Sequence, residues 1–188
     1  MSAKIVVSQY ISLDGVIEDP VGMEGSGLGD WIGQYRRGPR GDAFKERELL
    51  EADALILGRR TYDGFAAVWP TVDSDYARHI NGMPKYLASR TISEPGWQGT
   101  RVLDGDLAAA TAALKQETSG TILIFGSASV CHTLLAAGLV DEMNLLVYPC
   151  LLGRGIRLFP EGHTSRFTLV EDLRFDDGLM MLRYRRAE

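Results

Sequence analysis

The chain predicts an α/β domain built on a mostly parallel sheet, and three observations carry that prediction. Short apolar runs alternate with stretches whose apolar residues fall at helical spacing, the pattern of βαβ units. Two of those runs, ending at Gly58 and Gly126, break directly into small or polar residues that open a helix. The last two runs flank Asp176-Asp177-Gly178, and Asp-Gly is a strong short signal for an antiparallel hairpin.

Taken in order, the first strand covers residues 4–11, where MSAKIVVSQY enters an apolar run directly. Residues 18–41, EDPVGMEGSGLGDWIGQYRRGPRG, are rich in Gly and turn formers and too long for a plain connection. We read them as a substrate-side flap, with disorder the competing reading. A helix near 43–51 precedes the run ALILG, a strand over 54–58 whose Gly58 lets backbone approach a ligand closely. Helices near 61–67 and 73–81 lead to strands at 85–89 and 100–103. Asp106 with Leu107, Leu114 and a run of alanines reads as a capped amphipathic helix over 106–117, to which we assign no chemistry. A strand at 121–125 ends at Gly126, and Val130, Leu134 and Leu135 recur at helical spacing over 128–137. Strands at 142–149, 166–174 and 179–185 complete the chain.

Length and composition fit one domain over 1–188. At 188 residues, 45% hydrophobic and 24% charged, the chain can bury a substantial core without a second domain. The formal net charge of −5 argues against nucleic acid as the main partner. No apolar run approaches the roughly 20 residues of a membrane span, and no charged-then-apolar leader precedes the first strand, so no membrane partner and a cytoplasmic location are expected. Cys131 and Cys150 lack a C-x-x-C spacing and sit in apolar surroundings, which disfavours a disulfide or a zinc site. His79, His132 and His163 are isolated, so no metal is expected. Without a G-x-S-x-G elbow, the Ser, His and Asp present do not indicate a hydrolase.

The chemistry concentrates at two strand ends. Gly58 is followed by Arg59, Arg60 and Thr61, where Thr61 can cap a helix whose first N–H groups and dipole favour an anion. The alternative is a plain junction with two solvated arginines. Gly126, Ser127, Ala128 and Ser129 can cradle a pyrophosphate, or can simply permit tight strand-helix packing. In one parallel sheet both ends line the same edge, where ligands of open α/β sheets bind.

These motifs carry a resemblance. SLDG at Ser12–Gly15, LGRRTY at Leu57–Tyr62, LASRT at Leu87–Thr91, and FGSASV followed by GLVDEMNLLVYPCLLGRGIRLFP resemble the dihydrofolate-reductase-like superfamily in order and spacing. The chain is more closely similar to the branch containing the reductase domain of the bifunctional riboflavin-biosynthesis deaminase-reductase, from about Lys4 to its end. The resemblance implies a three-layer α/β/α fold, its mostly parallel sheet closed by an antiparallel C-terminal hairpin, with NADPH as cofactor and hydride transfer to a small heterocyclic or carbonyl substrate. By the same resemblance Gly58, Arg59, Thr61, Ser89 and Arg90 match cofactor positions, and Gly126, Ser127, Ala128, Ser129 and Val130 match the pyrophosphate loop. Arg59 or Arg60, with Ser89, Arg90 and Thr91, would surround a 2′-phosphate with donors, and an Arg fork suits that group well. No acidic residue immediately follows either basic strand end, as an NAD ribose site would often show, so NADPH is expected. The H-x-E and P-C-x-x-C zinc signature of the deaminase partner is absent, which points to a stand-alone reductase. A non-catalytic NADPH-binding module is a rival reading.

For the proton, folate-reducing members place an acid where this chain has Asp42, although RGDAFKERELL equally offers Asp42 as an ordinary N-cap. Asp14 in SLDG is the other candidate, or it forms an Asx-type turn before Gly15. Trp31 in the flap is a candidate substrate contact, whereas Trp69 before Pro70 reads as packing beneath a loop. Arg154 and Arg157 could meet a substrate phosphate, as in the ribosylaminouracil reductases, or stand solvated in a hairpin loop. The polar helix after Asp42, with Lys45, Glu46, Arg47 and Glu48, argues against a large pteridine substrate and leaves a dihydrofolate or pterin reductase as the alternative. The apolar strand MNLLVYPCLL suggests a homodimer, though a buried strand needs no partner.

Overall fold

The apolar runs become eight strands in the computed structural model, which describes residues 2–187. They are β1 (Lys4–Ser12), β2 (Ala54–Gly58), β3 (Lys85–Ala88), β4 (Thr100–Val102), β5 (Thr121–Ile124), β6 (Glu142–Tyr148), β7 (Phe167–Arg174) and β8 (Met180–Arg186). Five helices lie between them: α1 (Gly38–Leu50), α2 (Arg59–Val68), α3 (Asp75–Gly82), α4 (Leu107–Glu117) and α5 (Ala128–Ala136). The sheet order is β4-β3-β2-β5-β1-β6-β8-β7. β1 to β6 pair parallel, and β8 runs antiparallel to both β6 and β7. The expected fold class and C-terminal hairpin are therefore present. Asp177 at φ 51° and Gly178 at φ 80° make the hairpin turn, a left-handed conformation that Asp tolerates and Gly adopts freely.

Both faces of the central strands are covered, which is why β2 and β5 read as unbroken apolar runs rather than alternating ones. One face sets Ile5, Val7, Ile56, Ile122 and Ile124 under Leu114 of α4 and Val130, Leu134 and Leu135 of α5. The other sets Val6, Leu55, Leu57 and Leu123 against Leu49 of α1, Tyr62 of α2 and Ile80 of α3. A third cluster, with Trp31, Phe44, Tyr148, Phe175 and Met181, packs the flap and α1 on β6 and β8. Interior strand β6 has β1 on one side and β8 on the other, so its apolarity is accounted for within one chain. Cys131 is buried, Cys150 is half-buried, and both are free thiols. No helix among the described residues is long and apolar enough to cross a membrane.

Two helix starts depart from expectation. α1 begins at Gly38 rather than 43, with Pro39 in its first turn, where a missing N–H costs nothing. Asp42 therefore lies inside the helix and does not cap it. α2 begins at Arg59 with Gly58 as its N-cap residue, so Thr61 sits within the helix and caps nothing either. The Asp106 cap holds: its carboxylate accepts the Ala109 N–H at 2.9 Å.

The flap has a built interior. Buried Asp19 accepts the Glu24 N–H (2.8 Å), the Ser26 N–H (3.1 Å) and the Ser26 hydroxyl (2.7 Å), tying residues 19–26 into a knot. Trp31 is 3% exposed, meets Tyr148 edge-on at 5.6 Å, and donates its indole N–H to the Glu18 carbonyl. On the other side of the molecule Lys85 is wholly buried under Trp97 and donates to the carbonyls of Ile80, Asn81 and Met83, closing the C-terminus of α3.

Candidate active site

Strand lengths create the site. Pairing of β1 with β5 ends at Val7 opposite Ile124, whereas β1 stays paired with β6 as far as Ser12 opposite Tyr148. From Ser8 onward, β1 has a strand partner on its β6 side only. The chain order also reverses here: β2, β3 and β4 build outward, and β5 then returns between β2 and β1. Such a switch point at the carboxyl edge opens a crevice. A cleft of about 1910 Å³ occupies it.

At the middle of the cleft the ends of β2 and β5 interlock. Gly58 donates its N–H to the Gly126 carbonyl at 3.2 Å, and a Cβ on Gly58 would overlap Ser127. Gly126 has φ +138°, and a Cβ there would stand 2.7 Å from Thr61 Oγ1. Thr61 thus packs against the loop instead of capping. The Gly126–Ser127 peptide is cis. Residues 59–61 of α2 and 128–130 of α5 line the cleft, and neither helix has a side-chain N-cap. First-turn N–H groups left in that state can accept an anion.

One end of the cleft gathers donors from two segments, the start of α2 and the stretch after β3. Arg59 Nη1 donates to Thr91 Oγ1 at 2.6 Å while its Nε donates to Asp63 at 2.7 Å. Ser89 Oγ accepts the N–H groups of Thr91 (3.2 Å) and Ile92 (3.1 Å). Arg90 lines the same end. Arg60 turns the other way, 3.6 Å from Glu18 and 4.0 Å from Glu24 of the flap. Of the two arginines, Arg59 is the one directed to this end of the cleft.

The opposite end is walled by Ser8 and Tyr10 of β1, Phe125 after β5, Trp69 and Tyr76, under Val21, Met23 and Glu24 of the flap. Trp69 packs on Phe65 and Tyr76, with ring centroids 6.0 and 5.0 Å away, and also lines the cleft. At the floor, Lys45 Nζ donates to Ser8 Oγ at 2.9 Å and to Glu48 Oε2. The Ser8 hydroxyl donates to the same carboxylate oxygen (2.9 Å), and Asn144 Nδ2 donates to Glu48 Oε1 (2.7 Å). Asn144 Oδ1 in turn accepts from Arg183 Nε at 3.0 Å. Reading the sequence did not single out this buried group. Its signal was a Lys and a Glu three apart on one helix, with Ser8 and Asn144 as polar interruptions of strands that are otherwise core.

The family model for the RibD C-terminal domain matches residues 3–181. The chain belongs to the RibD C-terminal domain family. It is 26% identical to the uncharacterized protein YyaP of Bacillus subtilis (strain 168), over 96% of this chain and 94% of that one. Among solved structures it is similar to a putative riboflavin biosynthesis protein from Shewanella sp. PV-4, with a TM-score of 0.78, 25% identity and complete coverage of both chains. It also shares its fold with the dihydrofolate reductase of Enterococcus faecalis, solved with NADP(H) and RAB-propyl: TM-score 0.61, 19% identity, 98% of this chain and 97% of that one.

Four expected contacts of this RibD C-terminal domain stand elsewhere. Asp42 lines the cleft with its side chain 64% exposed and paired with Arg37 at 3.0 Å, not set in an apolar pocket. Asp14 lies outside the cleft, accepting from Ser12 Oγ (2.6 Å) and the N–H groups of Leu152 (3.2 Å) and Gly153 (2.8 Å). Those hydrogen bonds, the one from Ser12 above all, lower its pKa to about 2, so it clamps a loop as a carboxylate and has no proton to give near neutrality. Trp31 is the flap anchor described above, not a cleft wall. Arg154 donates to the Gly27 carbonyl at 2.8 Å, likewise holding the flap rather than facing a substrate.

Proposed function

We propose that this RibD C-terminal domain is an NADPH-dependent oxidoreductase that reduces a small heterocyclic or carbonyl substrate, with 5-amino-6-(5-phosphoribosylamino)uracil the first compound to try. The observation that carries the reading is the convergence of Arg59, Ser89 and Thr91 at one end of a cleft whose middle holds two uncapped helix starts. A 2′-phosphate fits the first feature and a pyrophosphate the second. NADPH, when bound, supplies the hydride. Arg59, Ser89, Arg90 and Thr91 bind its adenosine phosphate, residues 126–129 offer backbone N–H groups to the pyrophosphate, and Val130 gives an apolar wall. Ser8 to Tyr10 then take the substrate under the flap, which excludes water. Family membership and the riboflavin-biosynthesis name of the Shewanella protein support this reading.

Thermal unfolding with NADPH, NADH or neither tests it, because a ligand that binds only the native state raises its stability by mass action. A rise confined to NADPH is expected. No rise with either nucleotide would remove the reductase reading, and protection by folate analogues would move it to the dihydrofolate-reductase alternative that the fold also accommodates.

A further inference from the structure

We propose that Lys45 is the proton donor of the reduction, with Glu48 and Ser8 as its positioning residues; the inference rests on the reductase reading above. A lysine ammonium has three N–H donors. Nζ of Lys45 gives one to Ser8 Oγ and one to Glu48 Oε2. The third has no acceptor among the described residues. Nζ stands 4.6 Å from the ring centroid of Phe125 and 5.4 Å from that of Tyr10, and both rings wall the cleft. Ser8 is also the first residue of β1 beyond its pairing with β5. The one unspent donor is therefore held at the inner end of the slot where a substrate edge would lie.

Glu48 has a different part. Its two oxygens accept from Lys45, Ser8 and Asn144, so it fixes the ammonium from behind the residues that line the cleft, which do not include Glu48. A buried ion pair adds little net stability compared with apolar side chains of similar size. Here it holds Nζ of Lys45, a cleft-lining side chain that is nine-tenths buried, in one position. Of the other acids lining this end, Asp42 pairs with Arg37, Asp19 accepts from the flap backbone, Glu18 pairs with Arg60 and accepts the Ile156 N–H, Glu24 lies 4.0 Å from Arg60, and Glu46 is exposed.

The step balances as follows. The electrophilic carbon of a C=O or C=N group takes the hydride, two electrons included, from a dihydronicotinamide, which leaves oxidised. The π pair moves to the oxygen or nitrogen, and that atom takes a proton as one N–H bond of Lys45 breaks. The neutral amine regains a proton from water at the open mouth of the cleft.

The test uses the full chain with Lys45→Met, Lys45→Arg and the double variant K45Q/E48Q, whose neutral amides can still bond to each other if the single change fails to fold. NADPH binding by thermal shift is measured first, and loss of binding by the unaltered protein would overturn the reductase reading and this inference with it. With binding intact, kcat for 5-amino-6-(5-phosphoribosylamino)uracil should fall at least 100-fold in Lys45→Met and in the double variant, and Arg, which does not release its proton, should not restore it. In the dead-end complex with NADP+, where no turnover occurs, affinity for the same compound should fall about 10-fold in Lys45→Met, a hydrogen bond's worth. No turnover by an unaltered protein that binds NADPH, kcat within threefold of it in Lys45→Met, rescue of kcat by Arg, or unchanged dead-end affinity would each overturn the role of Lys45 while leaving the cofactor site standing.

Discussion

Gly58 and Ser127, 69 positions apart, touch so closely that the glycine has no room for a Cβ: it would lie 2.9 Å from the serine backbone N as well as overlapping its side chain. The contact joins the end of β2 to the loop that starts α5. Gly58→Ala must push those two apart, and such overpacking typically costs about 1–3 kcal/mol. Chemical denaturation should show that loss, and on the proposed function the same variant should lose most of its NADPH protection, since the displaced loop is the one assigned there to the pyrophosphate. Full stability with full protection would mean that the junction yields freely.

Arg59→Ala should weaken NADPH by about 10- to 100-fold, the range for losing a charge-assisted contact of about 1.5–3 kcal/mol, while NADH changes little. Dissociation constants for both nucleotides check this. An equal loss for the two would take the 2′-phosphate away from Arg59.

Lys85→Met would leave three buried carbonyls at the end of α3 without a donor, at about 1–3 kcal/mol for each that water does not reach. Burial also pulls the Lys85 pKa down to about 8 from 10.5. Between those values the unfolded chain holds a proton that the folded chain has shed, so this group makes stability rise as pH goes from about 8 to 10.5. Denaturation midpoints across that window should show the rise in the natural protein and lose it in the variant.

Asp14 works in the opposite pH range. With its folded pKa at about 2 against 3.8, its contribution is present above 3.8 and disappears as pH falls towards 2. Asp14→Asn should lack that step in acid unfolding while keeping kcat within about threefold, because the side chain binds the 152–153 backbone and not the cleft. A loss of 100-fold or more in kcat would restore Asp14 as a proton-handling residue.

The eight strands were legible because the interior ones are buried on both faces and so carry unbroken apolar runs. The start of α1 was not: Gly38, Pro39 and Gly41 look like loop, and the helix is held by the packing of Phe44 and Leu49 rather than by the propensity of its first turn. The convergence of Arg59, Ser89 and Thr91 was readable for a related reason. Arg59, Ser89 and Thr91 each follow a parallel strand, and chain order alone brings those strand ends to one edge. The group around Lys45 was beyond that logic, because Ser8 meets Glu48 across 40 positions and Asn144 meets it across 96. Only the register of β1 against β6 and the seating of α1 bring them together. Trp31 and Arg154 misled for the converse reason: a loop rich in glycine also needs anchors, and its largest side chains served that end.

The stretch of β1 past the end of β5 lines the cleft at Ser8, Gln9 and Tyr10 and makes that ledge a piece of main chain. Amino-acid replacement from Ser8 to Tyr10 alters what hangs from that ledge but leaves its peptide groups in place. The walls contributed by α1 and the flap can therefore be exchanged while that stretch of main chain keeps its place.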